Sequence, residues 1–133
     1  MAADSPLSPL LAALSALAAW FRAEKVEGMV IGGVAASIVG RPRVTRDVDV
    51  LVAVPEESWD SFLQSGTQFG FVPRVSGAVE FARTSRVLLL RHEPSDTEID
   101  VALAGLPFER EALRRCRVVQ IHGVDVPVVT RRI

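Results

Sequence analysis

The chain has 133 residues, 49% of them hydrophobic, so it is long enough for one compact domain with a single core and too short for two. Its formal net charge of -1 excludes the strongly basic surface that an extended nucleic-acid footprint needs, and favours a small substrate or the tip of a larger one. A single cysteine, Cys116, excludes an internal disulfide and a cysteine-rich zinc site, and indicates a reducing compartment.

The first predicted element is an amphipathic helix within residues 1–25. Leu10, Leu14, Leu17 and Phe21 recur at steps of three and four residues, which predicts that one face of this helix lies on the core. The stretch is rich in alanine and leucine, but no basic residue precedes it and it is too short to span a bilayer. We therefore expect a soluble, cytoplasmic protein with no membrane partner.

The elements that follow alternate between strand and helix. An apolar run over 28–31 predicts a buried strand that ends at the glycine pair Gly32 and Gly33. A short helix is predicted over 34–39, a second strand over 48–52, and a helix over 55–65 that begins at a proline followed by two glutamates.

The second half of the chain is richer in strands. Within the otherwise ambiguous stretch 71–85, Val79 and Phe81 are predicted to lie in a short strand between turns. Apolar runs at 86–91 and 98–103 flank a polar turn and predict a hairpin, as do 118–121 and 124–129, with a short helix over 107–115 between the two hairpins. The predicted class is α/β (α+β), a mixed sheet with helices packed on it.

The glycine pair and a following pair of aspartates carry the chemical information. Glycines at a strand-to-helix turn let backbone N–H groups approach an anion closely, so Gly32 and Gly33 predict a phosphate site. Asp47 and Asp49 are two residues apart on a predicted strand, so both carboxylates lie on one face while the intervening valines pack into the core.

A third aspartate, Asp100, lies between apolar neighbours on a later strand, where an unpartnered charge would be costly. Clustered carboxylates repel each other unless a cation lies between them, and Mg²⁺ (or Mn²⁺) suits a site that shares its ligands with phosphate and water. If the two strands are neighbours, Asp47, Asp49 and Asp100 form a metal site that Glu98, on the same strand face as Asp100, can join.

Several polar residues near this motif have two interpretations. Arg41, Arg43 and Arg46 either meet phosphate or are solvent-facing loop charges, and one of them can instead pair with the aspartates when no metal is bound. Thr45 either contacts a phosphate or caps the strand. The two histidines and Cys116 lack ligand spacing, which predicts surface histidines and a semi-buried thiol; Trp20, Trp59 and Phe62 are predicted to be packing residues.

These motifs resemble the nucleotidyltransferase superfamily, which has the polymerase-β-like fold. Its signature is a Gly-Gly or Gly-Ser turn, a strand with Asp-x-Asp and a third acidic residue on a later strand, which Gly32-Gly33, Asp47-Val-Asp49 and Asp100 match. The run Gly-Gly-Val-Ala, with Arg43-Val-Thr45-Arg-Asp-Val-Asp, is most similar to AbiEii/AbiGii-type nucleotidyltransferases, many of them toxins of toxin-antitoxin pairs. The resemblance implies a minimal single nucleotidyltransferase-like domain over 1–133, with its core at 28–129.

The resemblance also implies a function. Asp47, Asp49 and Asp100 would be catalytic and hold magnesium, while Gly32, Gly33, Arg43, Thr45 and Arg46 would bind a nucleoside triphosphate such as ATP. Nucleoside monophosphate would pass to a hydroxyl of an acceptor, which can be RNA, protein or a small molecule.

One departure from the family pattern leaves an alternative function open. Relatives usually continue into a lysine-bearing helical region, whereas this sequence stops at Ile133, so we expect either a truncated chain or a minimal domain completed by an antitoxin or second subunit. The alternative is a non-catalytic nucleotide-binding or partner-binding module that retains the fold. A dinucleotide-binding domain is disfavoured because no Gly-x-Gly-x-x-Gly follows the first strand.

Overall fold

A computed structural model describes residues 8–31, 47–121 and 124–128. The elements in chain order are helix α1 (Ser8–Glu24), strands β1 (Glu27–Ile31) and β2 (Asp47–Ala53), helix α2 (Trp59–Gly66), strand β3 (Phe71–Pro73), helix α3 (Ala78–Ser85), strands β4 (Val87–His92) and β5 (Thr97–Leu103), helix α4 (Pro107–Arg114), and strands β6 (Arg117–Ile121) and β7 (Val124–Val128). Short 3-10 turns precede α2, follow α2 and join β4 to β5.

The strands of the described ranges form one mixed sheet in the order β3-β4-β5-β2-β1-β7-β6. β2 lies at its centre, antiparallel to β1 and parallel to β5. The predicted hairpins β4–β5 and β6–β7 are confirmed as antiparallel pairs. The mixed α/β class is confirmed as well.

One face of the sheet carries the main core beneath α1, α2 and α3. The predicted apolar stripe of α1 is confirmed, since Leu10, Leu14, Leu17 and Phe21 are all buried there. Trp20 is fully buried as well and stacks on Phe62, with ring centroids 4.3 Å apart.

Within the described ranges, no helix has both the length and the apolar character that crossing a bilayer requires.

The opposite face carries a smaller apolar cluster beneath α4. Met29 of β1, Leu51 of β2, Ala104 and Leu113 of α4 are its buried members. Glu109 fixes the start of α4, because its carboxylate accepts the backbone N–H groups of residues 105 and 106 at 2.8 and 2.9 Å. Because Leu113 packs in the same cluster as Leu51, α4 covers the end of this face towards which β2 and β5 run.

The stretch 71–85 differs from its prediction. The predicted strand at Val79 and Phe81 is wrong, because these residues belong to α3, and the strand of this stretch is the earlier, three-residue β3. Val79 and Ala82 are buried at helical spacing, whereas Phe81 is 43% exposed. Val79 and Phe81, two residues apart, therefore lie on the buried side and the exposed side of one helix.

The prediction of a surface histidine is also wrong for His92. Its ring is buried against Phe71, with centroids 4.8 Å apart, and its Nδ1 is hydrogen-bonded to Ser95 Oγ at 2.7 Å. Ser95 Oγ in turn lies 2.8 Å from Thr97 Oγ1, so the imidazole belongs to a small polar network at the β4–β5 turn. Desolvation by burial lowers the pKa of His92, against a smaller opposing effect from a backbone hydrogen bond with Phe69.

This lowered pKa predicts an acid-sensitive contribution to stability. An imidazole whose folded pKa lies below its ordinary value of 6.5 favours the folded state above pH 6.5, and that contribution is lost as the pH falls through the folded pKa. Thermal melts between pH 7.5 and 5 are expected to show a falling midpoint for the parent and a shallower fall for His92→Gln. Parallel curves for the two proteins would contradict this assignment.

Candidate active site

The parallel pairing of β2 with β5 brings two of the predicted site residues side by side. Asp49 pairs with Asp100, and one step earlier Asp47 pairs with Glu98. The intervening Val48 is fully buried on the main-core side, so strand alternation places Asp49 and Asp100 on the opposite face. Acidic residues thus occupy adjacent positions at the amino ends of two neighbouring central strands.

Within the described ranges no helix covers this acidic end of the face, in contrast to the end beneath α4. The side chains of Asp100 and Glu98 are 46% and 53% exposed, and Asp49 is half-buried. Like charges at directly opposing strand positions destabilise a sheet. The arrangement therefore favours a cationic partner, and the Asp100 carboxylate is partly accessible to solvent.

The structure supplies one such partner in Arg74, which was not among the residues predicted for the site. Its Nη1 donates to Glu98 Oε1 at 2.5 Å and its Nη2 donates to Asp100 Oδ1. Arg74 directly follows the three-residue β3, and nothing in its local sequence marks it as a site residue. The signal lies in strand pairing, because β3 and β4 must be in register before Arg74 can reach β5.

Other predicted site residues fall outside the described ranges. For Asp47 the backbone is described as the first residue of β2, and its side chain is not. The remaining residues outside the ranges are Gly32, Gly33, Arg41, Arg43, Thr45 and Arg46, together with the predicted helix over 34–39. Convergence of all three aspartates beside the glycine turn stays a prediction.

The donor set suits a hard divalent cation. Carboxylate oxygens are the protein ligands that Mg²⁺ prefers, and Asp49 and Asp100 offer them from neighbouring strands. Among the side chains that the structure describes, no three acidic, histidine or cysteine groups form a metal site; Asp47 is not in that set. A site built on Asp49 and Asp100 would need the Asp47 carboxylate, water or phosphate to complete it.

Comparison with known proteins gives a structural likeness and no sequence match. No protein-family model matches the chain, and no curated protein matches it by sequence. An antigenic nucleotidyltransferase-like protein from Paracoccidioides brasiliensis superimposes with a TM-score of 0.59 at 16% identity, covering 92% of this chain. The lincosamide antibiotic adenylyltransferase LnuA, bound to lincomycin, gives 0.59 at 14% identity over 86%.

A proposed nucleotidyltransferase from Thermotoga maritima also gives a TM-score of 0.59, at 17% identity over 92% of this chain. The chain spans 61% of the Paracoccidioides protein, 76% of LnuA and 78% of the Thermotoga protein. At these identities the likeness concerns the fold alone. The chain has the nucleotidyltransferase fold.

Proposed function

We propose that the protein transfers a nucleoside monophosphate from a nucleoside triphosphate to a hydroxyl acceptor, in a reaction that depends on Mg²⁺ or Mn²⁺. The observation that carries the proposal is the β2–β5 register, which sets Asp49 beside Asp100 on one face of the sheet. Like charges side by side on neighbouring strands are unfavourable unless they serve a purpose. Metal binding in a nucleotidyltransferase fold would be such a purpose for Asp49 and Asp100.

Each residue has a proposed role. Asp47 and Asp49 would hold the metal that accompanies the triphosphate, with Asp100 as a further ligand, and Asp100 would also orient the acceptor hydroxyl and accept its proton. The bound metal would supply positive charge against the triphosphate and lower the pKa of the acceptor hydroxyl. A bond forms between the acceptor oxygen and the α-phosphorus, the bond from that phosphorus to the β-phosphate oxygen breaks, and pyrophosphate leaves.

The segment between β1 and β2 would contribute the phosphate contacts. Its proposed ligands are the backbone at Gly32 and Gly33 and the side chains of Arg43, Thr45 and Arg46. Guanidinium groups pair well with phosphate oxygens, and glycines admit close approach to the backbone. Their place in the chain, between β1 and the acidic strand β2, supports this assignment.

The acceptor belongs to the proposal too. LnuA, described as a lincosamide antibiotic adenylyltransferase, is an example of this fold acting on a small molecule. A net charge of -1 also favours a compact acceptor over a long polyanion, although an RNA end or a protein hydroxyl fits the same chemistry. The resemblance to AbiEii/AbiGii-type toxins adds an antitoxin or second subunit as a proposed partner.

One observation favours a second candidate, a non-catalytic nucleotide-binding or partner-binding module. Arg74 already neutralises part of the acidic face, as in a purely structural ion pair. In such a module Asp100 would serve the fold alone, and nucleotide binding would not depend on metal.

Nucleotide binding in the two candidates is expected to differ in its dependence on magnesium. With Mg²⁺, ATP or GTP at a hundred times its dissociation constant is expected to stabilise the fold by about 2.7 kcal/mol, and with EDTA by much less, because triphosphate and carboxylate charges would then repel. Calorimetry and thermal melts with each nucleotide measure this. Equal affinity in both buffers would favour the non-catalytic module.

A further inference from the structure

Arg74 reaches the acidic face from the side of β4. Its backbone N–H donates to Leu89 O at 2.9 Å, which continues the β3–β4 ladder by one residue. Leu89 pairs with Asp100, and Asp100 pairs with Asp49. The four residues therefore form one row across the sheet, in which Asp100 lies between Arg74 and Asp49.

The guanidinium divides its two terminal nitrogens between two carboxylates. Nη1 bonds to Glu98 and Nη2 bonds to one oxygen of Asp100. A carboxylate offers about four lone-pair sites, so one N–H bond leaves Asp100 able to accept a further partner. The Nε of Arg74 is buried and has no hydrogen-bond partner in the described part of the chain. Among the described residues, the guanidinium is therefore held by its ion pairs with Glu98 and Asp100.

We propose that Arg74 is a positioning residue of the metal site. It holds Asp100 from the β4 side, so that the remaining lone pairs of Asp100 stay available to a divalent cation on the Asp49 side. Its second ion pair, to Glu98, ties the guanidinium to β5 at two points. This inference rests on the proposed function.

Two effects of Arg74 on cation binding oppose each other. Its positive charge repels a cation, but it also fixes the Asp100 carboxylate, which is 46% exposed even beside Arg74 and would change rotamer more freely without that contact. Repulsion is weakened by solvent at an open site, whereas loss of a residue that orients a metal ligand typically lowers affinity about tenfold to a hundredfold. The orienting effect is therefore expected to prevail.

Arg91 provides a matched control. It lies on β4, pairs in register with Glu98, and makes only longer ion pairs to Glu93 and Asp96, at 3.8 and 3.9 Å, among those that the structure describes. Arg91→Gln removes the same charge from the neighbourhood of the site as Arg74→Gln does. The difference between the two variants reports the contact with Asp100 rather than the general field.

The test is a titration with Mg²⁺ or Mn²⁺ in the presence of ATP, followed by thermal melting and calorimetry, with nucleotide transfer as a parallel readout. Arg74→Gln is expected to need about tenfold or more metal for half of the full effect. Arg91→Gln is expected to stay within about twofold of the parent, and Arg74→Lys to fall between Arg74→Gln and the parent.

The outcomes separate this inference from the function beneath it. A parent that responds to metal while Arg74→Gln responds at the same or lower concentration would overturn the positioning role and leave the proposed function standing. A parent that shows no metal response in any readout would overturn both. A purely structural defect in Arg74→Gln would lower its melting point without changing the metal concentration that it requires. Partial recovery of that metal concentration in Arg74→Lys would support the positioning role.

Discussion

Replacing Asp49 by asparagine is expected to reduce nucleotide transfer by about a hundredfold to a thousandfold while leaving the fold at least as stable as the parent. Asp49 lies opposite Asp100 on adjacent parallel strands, where two like charges weaken the sheet. Asparagine keeps the shape and a hydrogen-bonding oxygen, so contacts of Asp49 with other residues can persist while the like charge beside Asp100 is removed. The same change removes a proposed metal ligand.

Transfer is measured with labelled nucleotide and a cell extract as the source of acceptor, and stability by thermal melting in metal-free buffer. Asp60→Asn is the matched control, since Asp60 is 78% exposed on α2, away from the acidic face. Both readouts are expected to stay at parental values in that control. If Asp49→Asn instead melts lower by an amount equivalent to about 1–3 kcal/mol, its carboxylate is structural and the catalytic assignment loses its main support.

The elements that could be predicted from sequence are those whose burial repeats over several residues. α1 shows four core residues at helical spacing, and β2 is an apolar strand at the centre of the sheet. Turn residues at 93–96 predicted the β4–β5 hairpin. In these segments local preference and tertiary packing agree.

The elements that were missed depend on contacts between distant segments. β3 has three residues, too few to establish a periodicity, and its pairing with β4 is what covers His92 with Phe71. α3 has an exposed phenylalanine at a position that imitates strand alternation. No local pattern distinguishes these cases from the alternatives.

The same contrast between local sequence patterns and contacts of distant segments applies to the candidate site. Asp47, Asp49 and Asp100 could be selected because acidic residues interrupt apolar strands. The register that places Asp49 beside Asp100 joins strands about fifty positions apart in the chain, and sequence spacing does not specify it. Arg74 was missed for that reason: its role exists only once β3, β4 and β5 are aligned.

The largest loss of stability is expected from Trp20→Ala, a substitution on the opposite face of the sheet from Asp49. Trp20 is fully buried and stacks on Phe62 and Phe71, with ring centroids 4.3 and 5.0 Å away. Its indole N–H donates to Ser65 Oγ at 3.0 Å, and a Cβ added at Gly66 would lie 2.8 Å from the ring. The indole thus fills a closely fitted space between α1, α2 and β3.

Removing that side chain leaves a cavity, and such truncations destabilise by about 3–5 kcal/mol. Trp20→Phe is the control: it keeps an aromatic ring in the stack and is expected to lose less. Urea unfolding gives both values, and transfer activity at low temperature gives the amount of function left per folded molecule. Since Trp20 is remote from the acidic face, Trp20→Ala is expected to retain that activity while losing stability, the reverse of Asp49→Asn. An unchanged unfolding midpoint for Trp20→Ala would contradict the assignment of α1 to the core.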